Sequence, residues 1–307
     1  MRHLAVLLVL CAACLPAAHG QNVSANPVTG MGYLYPSIAV APGQLITVFL
    51  AGNTQGDIGA TVQGLPAPLL EVRPGSGCAS ASICSGLTAI TIQIPYELNP
   101  GCGFINPVCN VVLLTQLIVT VNGVAGAPID LMPLPDQVHI LTACDTVLPS
   151  GSGTAPVGGL PCAPLVTHAD GSLVTAGSPA QGGEEVVAYA VGLGLTTPAV
   201  KTGQAASAAT PTSETFYLDF NFRPNALAAQ PILPAVGSCC APTPTLPVPL
   251  YSGLAPGYAG LYQVNFVVPP PPAGVAACAG TTQSNLTVSL GGQSSFDGAG
   301  ICVAPSQ

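Results

Sequence analysis

The chain has 307 residues, of which only 5% are charged against 49% hydrophobic, with 36 Gly, 33 Pro, 12 Cys, no Trp and a formal net charge of −8. Disorder through charge repulsion is excluded, because that route needs high net charge and low hydrophobicity. The 4 basic residues give no electrostatic footprint for nucleic acid and no polybasic segment for an anionic membrane surface.

The chain begins MRHLAVLLVLCAACLPAAHG. Arg2 supplies a positive start, Leu4 to Cys14 an apolar stretch, and Ala18-His19-Gly20 small residues for cleavage. Residues 1–20 therefore read as a signal peptide, with a secreted or cell-surface mature chain starting at Gln21. The apolar stretch is shorter than the roughly 20 residues a membrane helix needs. Later apolar runs, such as Val111–Leu114 and Val186–Val191, are strand-sized, so no integral membrane segment is expected after cleavage.

Ten cysteines follow the signal: Cys78, Cys84, Cys102, Cys109, Cys144, Cys162, Cys239, Cys240, Cys278 and Cys302. An even set in an exported chain predicts disulfides. The spacings suggest Cys78–Cys84, Cys102–Cys109 and Cys144–Cys162 as local staples. The last four would pair among themselves, in an order the spacing leaves open. Zinc sites favour paired C-x2-4-C knuckles with His, and these spacings form none.

Short apolar runs broken by Gly and Pro predict an all-β chain. Ile90-Thr-Ile-Gln-Ile94 alternates with period two, which predicts a strand with one buried and one wet face. Gln263-Val-Asn-Phe-Val267 begins the same way. Asn122-Gly123 between apolar runs predicts a type I′ hairpin, since both turn positions need positive φ. Ala169-Asp-Gly-Ser-Leu173 is a second turn. Pro95 and Pro269 should end strands, because proline cannot donate to a ladder. Pro269–Pro272 reads as a stiff surface loop.

The pattern repeats. Ala41-Pro-Gly-Gln-Leu-Ile-Thr-Val-Phe-Leu is answered by Gln181-Gly-Gly-Glu-Glu-Val-Val-Ala-Tyr-Ala. Ile90–Pro95 is answered by Leu261–Pro269, and Leu117–Val124 by Asn285–Gly292. Gly64–Leu70, which precedes Ile90–Pro95 after an insertion, is answered by Leu250–Gly257. These blocks predict a tandem duplication of β-sandwich domains, with domain 1 at 21–140, a linker or crossing loop at 141–160 and domain 2 at 161–307.

The blocks APGQLITVFLAGN, GLPAPLLEV, IQIPYELNPG and LIVTVNGVAGAPI resemble the Solibacter-type C-terminal domain family of secreted Acidobacteria proteins. VVAYAVGLGLTTPAV is similar to its YATGLG strand and loop, and YSGLAPGYAGLYQVNFVVP to its GLAPG-x-x-GLYQVN-x-x-VP signature. The resemblance covers about Pro36 to Val303. It implies two immunoglobulin-like (TIG-like) sandwiches and no catalytic motif. The chain departs from the family in carrying the pair without a larger partner domain and in its added cysteine loops.

A hydrolase triad needs Ser, His and an acid together. The mature chain offers only His139, in Asp136-Gln-Val-His, and His168, in Thr-His-Ala-Asp170. No Gly-x-Ser-x-Gly elbow stands on a strand–helix turn. Phe216, Phe220 and Phe222 fall on one strand face and Tyr217 with Asp219 on the other, either a sugar-binding platform or core packing. Tyr258 on the GLAPG loop is the best contact residue, whereas Tyr262 and Phe266 share a core face. Asp57, Asp145, Asp170 and Asp297 are scattered loop acids without a calcium loop pattern. No metal, cofactor or catalytic residue is expected. The reading is an exported, non-catalytic structural or adhesive protein whose partner is a protein, a polysaccharide or a second copy. Its alternatives are an extracellular hydrolase with an interdomain site and an accessory carbohydrate-binding module.

Overall fold

The computed structural model describes residues 23–25, 33–34, 37–51, 54, 56–74, 87–99, 114–143, 145, 162–231 and 246–306. The leader, the cysteine loops around 78–84 and 102–109, and Cys144, Cys239 and Cys240 lie outside the described residues. All described elements are strands, and they form two tandem β-sandwiches.

The first sandwich runs from β1 to β11. One sheet has the order β1 (Val23–Ala25), β4 (Leu45–Ala51), β8 (Leu87–Gln93), β7 (Leu69–Pro74). The other has the order β2 (Tyr33–Leu34), β3 (Ser37–Val40), β11 (Ile129–Pro133), β9 (Thr115–Val121), β5 (Ile58–Val62), β6 (Leu65–Pro66), with β10 (Val124–Ala125) on β9. Ile46, Val48 and Leu50 meet Ile90, Ile92, Leu117 and Leu131 in a sealed core. Asn122 (φ 52) and Gly123 (φ 77) make the expected hairpin between β9 and β10.

The second sandwich has one sheet of β12 (His139–Ile140), β14 (Glu185–Val191), β18 (Tyr262–Val267), β17 (Tyr251–Leu254) and β15 (Thr210–Pro211), with β13 (Val166–His168) also on β14. Its other sheet is β16 (Tyr217–Asn221), β19 (Leu286–Gly291) and β20 (Phe296–Ile301). Phe216, Val186, Phe266, Val264 and Val288 fill this core.

The duplication is visible bond by bond. β4–β8–β7 corresponds to β14–β18–β17, and β11–β9–β5 to β20–β19–β16. The parallel pairing of β3 with β11 returns as a bridge between Ala180 and Val303. Gly43 N donates to Ile94 O, as Gly183 N does to Val268 O; Ile94 N donates to Gln44 O, as Val268 N does to Glu184 O. Even the turn's side-chain cap repeats: Ala41 N donates to Gln44 Oε1 at 2.7 Å, and Gln181 N to Glu184 Oε2 at 2.7 Å.

Two expectations change. The polar face of β8 is not wet: Thr91 and Gln93 are buried. Thr91 Oγ1 lies 3.3 Å from Thr47 Oγ1, and Gln93 is consumed by the second sandwich, as described below. The chain also changes sandwich earlier than the composition suggested. His139 and Ile140 already pair with Val191 and Ala190 of β14, and Leu165 N donates to Leu141 O. The crossing segment is thus Leu134–Val138, while most of the Gly/Ser-rich stretch read as a linker lies outside the described residues.

Cys278 and Cys302 form a disulfide across 24 positions, and Cys162 is also disulfide-bonded, to a partner outside the described residues. Closing a loop of that length removes entropy from the unfolded chain worth about 3 kcal/mol. Replacing both Cys278 and Cys302 by Ala should lower the unfolding free energy by about that amount, read from urea titrations of the variant and the parent.

Candidate functional site

Among the described residues, polar contacts gather around the joint, the passage from one sandwich to the other. They fall into three groups: one on the crossing segment, one just past it inside the second sandwich, and one between the two sandwiches.

The first holds the crossing segment to the second sandwich. Asp136 is buried and accepts from Gln293 N (2.7 Å), Ser294 N (2.9 Å), Ser295 N (2.9 Å) and Ser295 Oγ (2.8 Å). Burial pushes its carboxyl above the usual range against the lowering effect of those donors. Ser295 Oγ in turn accepts from Val138 N at 2.6 Å. Gln137 N donates to Gly192 O. Gly192 and Gly194 have positive φ, and a Cβ on them would stand 1.9 Å from Gln137 O and 2.2 Å from Pro135 O. Only glycine lets the chain pass so close.

The second group is a buried ion cluster. His139 Nδ1 lies 3.0 Å from Asp297 Oδ2, and Nε2 lies 3.1 Å from Asp145 Oδ1. A carboxylate only accepts, so both ring nitrogens carry protons and the ring is an imidazolium. Burial alone would lower its pKa, but the bonds and charges of Asp145 and Asp297 outweigh that and raise it to about 9. Asp145 Oδ2 also accepts from Thr142 N (2.5 Å) and Thr142 Oγ1 (2.9 Å), and Asp297 Oδ2 from Ile140 N (2.9 Å). Asp145 and Asp297, which look scattered in sequence, are brought together by a histidine. Among the described residues no group of three or more His, Cys, Asp or Glu side chains is arranged to hold a metal ion.

The third group seats the first sandwich on the second. Leu45 packs with Leu141 and Val191, flanked by Leu165, Tyr189 and Leu261. Gln93 Oε1 accepts from Gly203 N at 2.7 Å, and Tyr96 N donates to Thr202 Oγ1 at 2.8 Å. Thr202 also donates to Glu97. The Tyr96 ring covers Gly43 and enters the core of the second sandwich. There its hydroxyl lies 3.4 Å from that of Tyr262, which donates to Gly194 O. Burial pushes the Tyr96 phenol up to about 12 and that of Tyr262 well above its ordinary value, so both stay neutral.

His168 sits away from the joint. Its Nδ1 meets Glu184 Oε1 at 2.5 Å, while Nε2 lies 3.1 Å from Ser178 O and 3.3 Å from Ser178 Oγ. Ser, His and acid are thus in contact, but the backbone carbonyl can only accept. Nε2 is therefore the donor, and it has no lone pair with which to take a proton from Ser178. The Glu184 bond raises the pKa of His168 further. The arrangement clamps two loops.

The aromatic row divides. Phe216 is fully buried, Phe220 and Phe222 pack against the core, and the Phe220 ring lies 6.1 Å from that of Phe266. These three pack on the core of the second sandwich, Phe220 and Phe222 remaining half-buried. Tyr217 is half-buried, and Tyr258 is 59% exposed on its loop. Gln44, Gln93, Tyr96 and Asp136 were not legible as joint residues.

No family model matches the chain, and no curated protein matches it. Solved structures similar to it include the adhesin InvE of Yersinia pseudotuberculosis, at 11% identity and TM-score 0.22 over 92% of this chain and 60% of that one. The Escherichia coli adhesin FdeC is similar at 11% identity and TM-score 0.20, over 92% of this chain and 64% of that one. A membrane-anchored protein of Corynebacterium diphtheriae is similar at 11% identity and TM-score 0.21, over 94% and 59%. The chain spans about 60% of the length of these structures.

Two outcomes test the joint. His139 has its pKa raised from 6.5 to about 9, so its stabilising contribution is complete below pH 6.5 and is lost as the pH rises through 9. Unfolding free energy should fall across that window in the parent, and the fall should be much shallower in His139→Gln, measured by urea titration at pH 6, 7.5 and 9. Gln44→Glu would place a carboxylate where the present amide is fully buried. It should cost about 3 kcal/mol at pH 7. The cost should shrink at pH 4, where burial keeps the new side chain protonated, as read by the shift in urea midpoint.

Proposed function

We propose that the chain is an exported, non-catalytic protein of the cell surface or extracellular space, with a structural or adhesive role. The observation that carries this reading is the joint: two sandwiches fixed to each other by a buried network in which each polar group named above has a partner. A flexible linker would leave two independent modules. A joint of this kind sets the direction of one module against the other, which suits a spacer or a contact-bearing stalk. The leader sequence supports export, and the disulfides Cys278–Cys302 and that of Cys162 suit an oxidising compartment. The resemblance to the Solibacter-type family, whose members are secreted, points the same way.

The hydrolase reading would have to use Ser178, His168 and Glu184, because His139 is enclosed by two aspartates. The protonated Nε2 of His168 speaks against it. Nitrophenyl acetate and butyrate assays on the parent and Ser178→Ala should give equal rates at the level of buffer. A rate that disappears in Ser178→Ala would reverse the assignment. For the adhesive role, the purified mature chain should self-associate or be retained on cell envelopes, and a chain that does neither overturns it. Expression with its own leader should yield an exported product whose first residue is Gln21.

A further inference from the structure

The two copies treat one sheet face in opposite ways. In the first sandwich the outer face of β4 and β8 carries Leu45, Thr47, Phe49, Ala89, Thr91 and Gln93, all buried. The same face of β14 and β18 is partly exposed, although Tyr189 at one end also packs against the joint. It carries Glu185, Val187 and Tyr189 on one strand, and Gln263, Asn265 and Val267 on the next. Tyr189 takes the place of Phe49, Gln263 that of Ala89 and Asn265 that of Thr91, as the two ladders align. Burial is exchanged for amides and a phenol.

These side chains form a row. Gln263 Nε2 donates to Asn265 Oδ1 at 3.3 Å, and Asn265 Nδ2 donates to Glu185 Oε1 at 3.0 Å. Gln263 Oε1 and Glu185 Oε2 keep free lone pairs among the described residues, and each amide retains an unused N–H. Beside the row, Tyr251 pairs with Asn265, and Gly253 pairs with Gln263. The Tyr251 hydroxyl donates to Leu254 O at 3.1 Å, and a Cβ on Gly253 would meet that hydroxyl oxygen at 2.4 Å. The phenol therefore lies across the glycine, pinned at its far end, and is half-exposed. β14 and β17 flank β18, so Tyr189 and this ring stand about 10 Å apart across the sheet, with Gln263 between them.

We infer that this face binds a neutral polysaccharide, a reading that rests on the adhesive role proposed above. A sugar offers an apolar C–H face for the pinned ring and hydroxyls that both donate and accept, matching amides and a carboxylate that do both together. The row holds Glu185 and no cation, so an anionic polymer meets repulsion without compensation.

Native affinity gels containing hydroxyethylcellulose, galactomannan, soluble starch or polygalacturonate test this with the mature chain. At least one neutral polymer should retard the parent. Asn265→Ala and Gln263→Ala, which remove half-exposed side chains and leave the ladder intact, should each weaken that retardation about tenfold, equivalent to about 1.4 kcal/mol. Tyr258→Ala, on the exposed loop, should leave it unchanged, and melting curves confirm folding. The inference is overturned by retardation in polygalacturonate alone, by no retardation in any gel, or by retardation that survives both amide changes. If the parent still self-associates or is retained on envelopes in those cases, the adhesive role stands without the saccharide face. If both are lost, both readings fall.

Discussion

Polar groups taken out of water must find partners, and in this chain that rule governs the contact between domains more than either core. Each sandwich closes on aliphatic residues that could be exchanged for others of similar volume. The joint has no such freedom. Asp136, Gln93, Tyr96 and Tyr262 are buried with specific donors and acceptors, and losing one partner strands the other in a medium that cannot hydrate it. The orientation of the two modules is fixed by hydrogen bonds rather than by shape alone.

The signature segments of the sequence gain a physical meaning from this. In Gly253-Leu-Ala-Pro-Gly-Tyr-Ala-Gly-Leu-Tyr262, Gly260 abuts Leu45 and Gly43 O of the first sandwich, and Tyr262 ends on Gly194. In Val191-Gly-Leu-Gly194, both glycines face the crossing chain. The motif residues that resemble a family of secreted repeats are, in this chain, residues of the seam. Their spacing reflects how one sandwich is mounted on the next.

Much of the fold was legible. Period-two alternation, Asn122-Gly123 and the strand-ending prolines report local backbone preferences, and the structure follows them at β8, β9–β10 and β18. The duplication was legible because strands at matching positions keep matching apolar residues. The wet face assigned to Ile90–Ile94 failed for a non-local reason: alternation says that a strand has two faces, and only the rest of the chain decides what lies on the second. The joint was illegible on the same ground. Gln93 looks like a surface glutamine until a distant Gly203 arrives, and Asp145 and Asp297 become neighbours only through His139. The aromatic row at Phe216–Phe222 displayed its periodicity correctly, but periodicity is silent on which face meets the core.

The repeated turn cap has a consequence for the order of the modules. At the seam the cap is Gln44, a neutral amide beside Leu45 and Gln93; at the equivalent place in the second copy it is Glu184, beside Glu185 and Val267 and held by His168. The copies share a backbone but not an electrostatic address. A chain with the two sandwiches exchanged would press two carboxylates into the seam and leave the amides and Tyr96 in water. The duplication is therefore directional: the two copies are not interchangeable across this seam.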